Sequence, residues 1–210
     1  MRILFQGDSI TDCGRRREGA NPLGSGYPMM VMGQLGLEHP SAHAYINRGI
    51  SGNRSVDLYA RIKADILNLK PDFISILLGV NDVWHEFDGN NGVDADKFYR
   101  IYCMLIEEIK SELPKVQMMI MEPFCLLGSA TEAYYDAFRG EVEKRAAMAK
   151  KLAETYGLTF LPLQKDLDAL ANTMPASDLL SDGVHPTPIG HTFLKNAWIR
   201  AFKEMTQSGC

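Results

Sequence analysis

Five short apolar runs, each ending in turn-forming or polar residues, alternate with longer stretches of helical period, and that alternation leaves few folds open. A run as continuous as Phe73-Ile74-Ser75-Ile76-Leu77-Leu78 suits a strand covered on both faces, the environment of a parallel sheet between two helical layers. The candidate strands are Arg2 to Phe5, Ala44 to Asn47, Phe73 to Leu78, Gln117 to Met121 and Thr159 to Leu161. Between them, Phe98, Ile101, Tyr102, Leu105, Ile109 and Leu113 recur three or four apart, as do Phe193, Leu194, Ala197, Trp198 and Ala201, so each set forms one apolar helical face. Leu58, Ile62 and Ile66 mark a helix after the second strand, and Val142, Ala146, Ala149, Ala153 and Tyr156 mark another before the fifth. The last helix has a readable start: Thr187 can cap it and Pro188 suits the first helical position, where a missing N–H costs nothing. The expected fold is α/β, a three-layer α/β/α sandwich with a five-stranded parallel sheet. With no linker-like stretch in 210 residues, residues 1–210 are expected to form one domain.

Composition narrows the partners rather than the chemistry. Hydrophobic residues at 46% and charged residues at 23% are ordinary for a globular protein and exclude disorder, collagen and a coiled coil. A net charge of -4 gives no long-range attraction to phosphate backbones, and the basic run Arg15-Arg16-Arg17 is offset elsewhere, so nucleic acid is not expected as a partner. No segment approaches the roughly 18 uninterrupted apolar residues of a membrane span, and the N-terminal apolar stretch is too short for a secretion signal, so a cytoplasmic protein with no membrane partner is expected. Cys13, Cys103, Cys125 and Cys210 are widely spaced without a C-x-x-C step and are read as free thiols, with no metal site and no cofactor implied.

In an open parallel sheet, ligands bind beyond the carboxyl ends of the strands, and the first three strands each run into polar chemistry there. The first is followed by Gly7-Asp8-Ser9-Ile10-Thr11, where Gly7 allows a sharp turn and presents the Ser9 hydroxyl. The second runs into Asn47-Arg48-Gly49-Ile50-Ser51-Gly52-Asn53, in which a backbone N–H near a glycine can approach a substrate closely. Gly79-Val80-Asn81-Asp82 follows the third and offers the Asn81 amide as a donor. Just before the last helix comes Asp182-Gly183-Val184-His185: a carboxylate three residues from an imidazole in a turn can fix the tautomer while the other ring nitrogen faces a nucleophile. Each motif has a bland reading as well. A lone Gly-Asp-Ser is more often a turn, the glycines can simply make a loop, Asn81 can be a turn residue and Asp82 a helix cap. His39, His43, His85 and His191 lack a carboxylate partner at this spacing and are read as surface or structural, His191 as helix surface or first-turn packing. The conjunction favours chemistry, because four motifs fall in the order and at the sheet positions that one acyl-transfer site needs.

At these residues the chain resembles the SGNH (GDSL) hydrolases, named for one Ser, Gly, Asn and His in four blocks, over the span from Gly7 to His185. The resemblance implies a flavodoxin-like sheet order and a serine esterase with Ser9 as nucleophile, His185 as base and Asp182 as its orienter. It also implies an oxyanion hole made by the backbone N–H groups of Ser9 and Gly52 and the side-chain amide of Asn81. Gly52 is taken over Gly49 because the family's glycine sits in a Ser-Gly-Asn or Ser-Gly-Asp step. The stretches Gly7 to Gly14, Gly49 to Asn53, Gly79 to Trp84 and His185 to His191 are most similar to the acetylxylan esterase-like branch, although Ser181 stands where some relatives place an aromatic residue. The expected substrate is then an acetyl ester of an oligosaccharide or small molecule, with Asp8, Tyr27 and Trp84 as candidate contacts and Tyr27, Trp84 and Phe87 able either to stack on a sugar or to pack. Homo-oligomers are common among such relatives. Competing expectations are a thioesterase or lysophospholipase acting on longer acyl chains, a non-catalytic glycan-binding protein of the same fold, and a metallophosphoesterase using Asp8, Asp82, Asp182 and His185.

Overall fold

The computed structural model describes residues 1–16 and 21–207; Arg17 of the basic run and the Cys210 thiol lie outside the described residues. In chain order the elements are β1 (Arg2–Gly7), α1 (Ser9–Asp12), α2 (Tyr27–Glu38), β2 (Ala44–Asn47), α3 (Ser55–Ala60), α4 (Ile62–Asp65), β3 (Phe73–Leu77), α5 (Val80–Gly89), α6 (Ala95–Glu112), β4 (Gln117–Met121), α7 (Tyr135–Tyr156), β5 (Thr159–Leu161), α8 (Gln164–Ala171), α9 (Ala176–Leu179) and α10 (Pro188–Gln207). The five strands form one sheet in the order β2-β1-β3-β4-β5, every neighbouring pair parallel. This is the doubly wound arrangement expected from the apolar runs, and its order reverses between β1 and β3.

Alternation along each strand feeds two separate cores. Ile3, Phe5, Phe73, Leu77, Met119 and Met121 point to the face covered by α2 and α10, where Trp198 stacks on Phe202 and lies 5.2 Å from the Phe5 ring. Leu4, Ile74, Ile76, Met118 and Ile120 point to the other face, against Leu58 of α3, Phe98, Tyr102 and Ile109 of α6, and Leu152 of α7. Burying both faces removes the edge between core and solvent that an amphipathic sheet would keep, which is why the strands read as unbroken apolar runs.

One expected element is broken. The helix marked by Leu58, Ile62 and Ile66 splits into α3, α4 and a short 3-10 turn over Leu67–Leu69. Arg61 sits at the break with ψ at 12°, and its guanidinium donates to Asn53 Oδ1 at 2.7 Å, Arg48 O at 2.8 Å and Asp65 Oδ2 at 3.0 Å. The three apolar residues still reach the core at the expected spacing, but the backbone is bent so that one cation can tie down the loop after β2. The start of α10 follows expectation, with Thr187 Oγ1 accepting from the N–H groups of Ile189 and Gly190 at 3.1 and 3.3 Å. No helix among the described residues is long and apolar enough to cross a membrane.

Candidate active site

The reversal of strand order between β1 and β3 opens a crevice at the carboxyl ends of the sheet, and the sequence motifs line it. Ser9 is the first residue of α1, with Asp8 as its N-cap. Gly7, the last residue of β1, does not have a positive φ. A Cβ there would stand 2.3 Å from Thr11 Oγ1 and 2.6 Å from Leu77 O, so glycine serves close packing of α1 against β3 rather than the sharp turn expected of it.

Ser9 Oγ lies 2.9 Å from His185 Nε2, and His185 Nδ1 lies 2.6 Å from Asp182 Oδ2. The other Asp182 oxygen accepts from the backbone N–H groups of Val184 at 2.9 Å and His185 at 2.7 Å, which folds the turn around the carboxylate. Burial pushes the Asp182 carboxyl up, but those N–H groups and the His185 ring outweigh it and hold it below its ordinary range. The turn is anchored from the far side: Leu126 N–H donates to Gly183 O at 2.8 Å and Ala130 N–H to Asp182 O at 2.9 Å. A hydroxyl, an imidazole and an ionised carboxylate in this series form the proton-transfer chain that acyl transfer uses.

Of the three candidate oxyanion donors, the two backbone N–H groups are without protein acceptors. The N–H groups of Ser9 and Gly52 meet none among the described residues, whereas the Asn81 side chain donates to Asn53 O at 3.3 Å and also hydrogen-bonds the Asp8 carboxyl. Gly49 differs, since its N–H already donates to Asn47 Oδ1 at 2.8 Å and its carbonyl accepts from Arg15 at 2.7 and 3.0 Å. Gly52 has φ +79, a conformation that L side chains rarely adopt. Its loop is pinned to α1 by Asp12 Oδ2, which accepts from Ser51 N–H at 3.1 Å, and by Asn47 Nδ2, which donates to Thr11 O at 2.6 Å. The sequence alone pointed to neither Asp12 nor Asn47 as a loop anchor; their position at the ends of α1 and β2 was the available signal.

A family model for GDSL-like lipases and acylhydrolases matches residues 5–193. The chain belongs to this family. This GDSL-like acylhydrolase is therefore a carboxylic ester hydrolase, in line with the resemblance read from its motifs. It is 35% identical over 209 residues to the acetylxylan esterase of Geobacillus stearothermophilus, covering 95% of this chain and 92% of that protein. The crystal structure of a catalytic mutant of that esterase superposes with a TM-score of 0.86 at 34% identity over 95% of this chain and 93% of the other. An alpha/beta hydrolase from the metagenome of Lake Arreo, Spain, superposes with a TM-score of 0.85 at 29% identity, covering 95% and 94% of the two chains.

Two of the three candidate substrate contacts of this GDSL-like hydrolase are not at the surface. Tyr27 is fully buried, its hydroxyl 3.1 Å from Thr11 Oγ1 and its ring edge-on to Phe5, so it packs the core and cannot stack on a sugar. Asp8 is also fully buried, with Oδ1 accepting from Ile10 N–H at 3.0 Å. Trp84 remains half-buried, with its ring 5.7 Å from that of His185, and Phe87 is stacked on Tyr134. His85, expected to be surface or structural, has Nε2 4.0 Å from where a Gly52 Cβ would stand and so borders the site. His191 is buried rather than on the helix surface: its Nδ1 accepts from Tyr27 N–H at 3.2 Å, and burial pushes its pKa down to about 4. Asp82 does not cap its helix, since Gly79 holds that position and the Asp82 carboxylate reaches across to Ser55. Because Asp8 and Asp82 are buried and Asp182 is turned to the back of His185, the four groups weighed for a metallophosphoesterase do not form one ligand set.

Burial pushes the Asp8 carboxyl up to about 7 from an ordinary value of 3.8. A carboxyl raised in the folded state holds a proton that the unfolded chain has already lost, so its contribution to stability falls between about pH 4 and pH 7 and stays low above that. Asp8→Asn keeps the acceptor for Ile10 and removes the ionisable group. It is expected to raise Tm at pH 8 and leave it unchanged near pH 4, as measured by thermal melts across that range.

Proposed function

We propose that this acylhydrolase removes acetyl groups from xylo-oligosaccharides or related plant-polysaccharide sugars, with Ser9 as nucleophile, His185 as general base and acid, and Asp182 as the group that orients it. The observation that carries the chemistry is the continuous chain Ser9 Oγ, His185 Nε2, His185 Nδ1, Asp182 Oδ2 at 2.9 and 2.6 Å. Ser9 attacks the ester carbonyl as His185 takes its proton; the tetrahedral intermediate collapses, and the imidazolium returns that proton to the leaving alkoxide. Water then attacks the acetyl-serine by the reverse route, releasing acetate. Charge on the intermediate oxygen falls to the backbone N–H groups of Ser9 and Gly52 and to the Asn81 amide. No metal or cofactor enters these steps.

Similarity to the acetylxylan esterase supports the sugar acetate as substrate, and Trp84 beside His185 supplies an aromatic surface of the kind that sugars stack on. An apolar groove of about 540 Å³ lined by Leu170, Met174, Leu179, Ile189 and Phe193 runs along α10, but it contains none of Ser9, Asn81 or His185. It therefore supplies no reason to assign a long acyl chain.

The test compares nitrophenyl esters from acetate to decanoate and then acetylated xylo-oligosaccharides. Activity peaking at acetate, with release of acetate from the oligosaccharide, supports the proposal; an optimum at long chains moves the substrate to thioesters or lysophospholipids, and a folded protein inactive on all of them favours a binding role. Asn81→Ala is expected to lower kcat on nitrophenyl acetate by about a hundred- to a thousandfold with the Tm little changed. A stable variant with unchanged kcat would remove Asn81 from the oxyanion site.

A further inference from the structure

Asp82 carries a cost that helix formation does not explain. It is fully buried in the first turn of α5, and a buried carboxylate is expensive unless its oxygens are well bonded. Its bonds leave its own helix: Ser55 N–H lies 3.1 Å from both Oδ1 and Oδ2, and Ser55 Oγ donates to Oδ1 at 2.5 Å. Ser55 is the first residue of α3 and stands three residues beyond Gly52, while Asp82 directly follows Asn81. The same two segments meet once more, where the Asn81 amide donates to Asn53 O at 3.3 Å. On the far side, Asp82 O accepts from Val93 N–H at 2.8 Å, and Val93 O accepts from the buried Arg145 guanidinium at 2.7 and 3.2 Å.

We propose that Asp82 is a positioning residue of the oxyanion site: its buried carboxylate bolts the Gly52 loop to α5 and so fixes the Gly52 N–H relative to the Asn81 amide. The inference rests on the proposed roles of Gly52 and Asn81. Two donors on separate elements stabilise a developing charge only if their separation is set before the charge forms. Gly52, at φ +79, has no side chain to lock its own position, and the Asn53 contact is long. The two Ser55 donors on Asp82, an N–H shared between both oxygens and a hydroxyl at 2.5 Å, supply that rigidity on the α5 side, as Asp12 does on the α1 side. Burial pushes the Asp82 carboxyl up to about 7, against the bonds from Ser55, which fits a group placed where its charge is costly. A neutral amide of the same shape cannot replace it, because the nitrogen of an asparagine side chain would face Ser55 N–H donor to donor.

The experiment measures kcat, KM and the Ki of a boronic acid that mimics the tetrahedral intermediate, for wild type, Asn81→Ala, Asp82→Asn, Ser55→Ala and the Asn81→Ala/Asp82→Asn double variant, with nitrophenyl acetate as substrate. Asp82→Asn is expected to lower kcat and weaken the boronic acid together by roughly ten- to a hundredfold, with KM within about twofold. Ser55→Ala, which removes one bond and a single oxygen atom, is expected to give a smaller loss of the same kind and keeps the test open if Asp82→Asn does not fold. In the Asn81→Ala background the loss from Asp82→Asn should shrink to less than about threefold, because one of the two donors it aligns is gone. A full, multiplicative loss in that background, or a fall in folded protein with kcat per folded molecule unchanged, overturns the positioning role. If Asn81→Ala alone leaves kcat intact, the oxyanion assignment fails and this inference with it; if Asn81→Ala is impaired while Asp82→Asn and Ser55→Ala are not, only this inference fails.

Discussion

Ser9→Ala is expected to lower kcat on nitrophenyl acetate by roughly ten thousand- to a millionfold while the protein keeps its Tm within a few degrees. The loss is large because the hydroxyl is the atom that would carry the acyl group, and no other nucleophile is in contact with His185 Nε2 among the described residues. Cys13 is the nearest competitor by chemistry, but its Sγ lies 3.3 Å from His191 Nε2, not His185. The other nitrogen of His191 accepts from Tyr27 N–H, so the neutral ring carries its proton on the side of the thiol and cannot act as its base. Burial also pushes the Cys13 thiol up, further from a thiolate. The fold should tolerate the change, since the Ser9 hydroxyl is half-exposed and bonds only to His185, while its backbone N–H stays in place at the start of α1. Steady-state rates with freshly purified protein, together with the acetyl-enzyme mass after a rapid acid quench of the wild type, decide the point. Activity within tenfold of wild type would remove Ser9 from the chemistry.

What could be read from the sequence follows how locally each feature is encoded. Strands buried on both faces leave continuous apolar runs, so all five were placed with bounds within two residues of those observed, and the sheet order then put the motifs after β1, β2 and β3 around one crevice. The capped start of α10 was equally local, being a hydroxyl and a proline at adjacent positions. Features set by distant partners were not readable. Tyr27 looks like a site aromatic beside a glycine, yet Phe5, Thr11 and Met121 enclose it. Asp8 adjoins Ser9 in sequence but is directed into the interior, and only the packing of α1 on β3 decides that. The break at Arg61 depends on bonds to Arg48, Asn53 and Asp65, only the last of which lies in the same helical stretch. The choice between Gly49 and Gly52 rested on resemblance; the structure supplies a physical ground for it, because Asn47 already holds the Gly49 N–H.

The Asp182 carboxylate separates two effects that alanine would mix. It holds the turn through Val184 N–H and His185 N–H on Oδ1, and it faces the His185 ring through Oδ2. Asp182→Ala would remove both, so lost activity could reflect a loosened turn. Asp182→Asn can keep the first, since Oδ1 of the amide accepts from the same two N–H groups, while its Nδ2 then points at His185 Nδ1. A donor in that place favours the tautomer with the proton on Nε2, so the nitrogen facing Ser9 Oγ can no longer accept. The expected result is a fall in kcat of about ten thousandfold, with KM nearly unchanged. Its pH dependence can be worked out as well. Because the folded-state carboxyl is held below its ordinary range, it stays ionised as pH falls to where free carboxylates take up protons, and its stabilising contribution, full above the ordinary value, declines below it and is gone once pH has dropped through the lowered value. The acid limb of the wild-type rate profile should therefore belong to another group, and Asp182→Asn should lower the plateau without abolishing that limb. Rate profiles from pH 4 to 9 for both proteins test this; a variant with wild-type turnover at neutral pH would show that His185 does not need the carboxylate to set its tautomer.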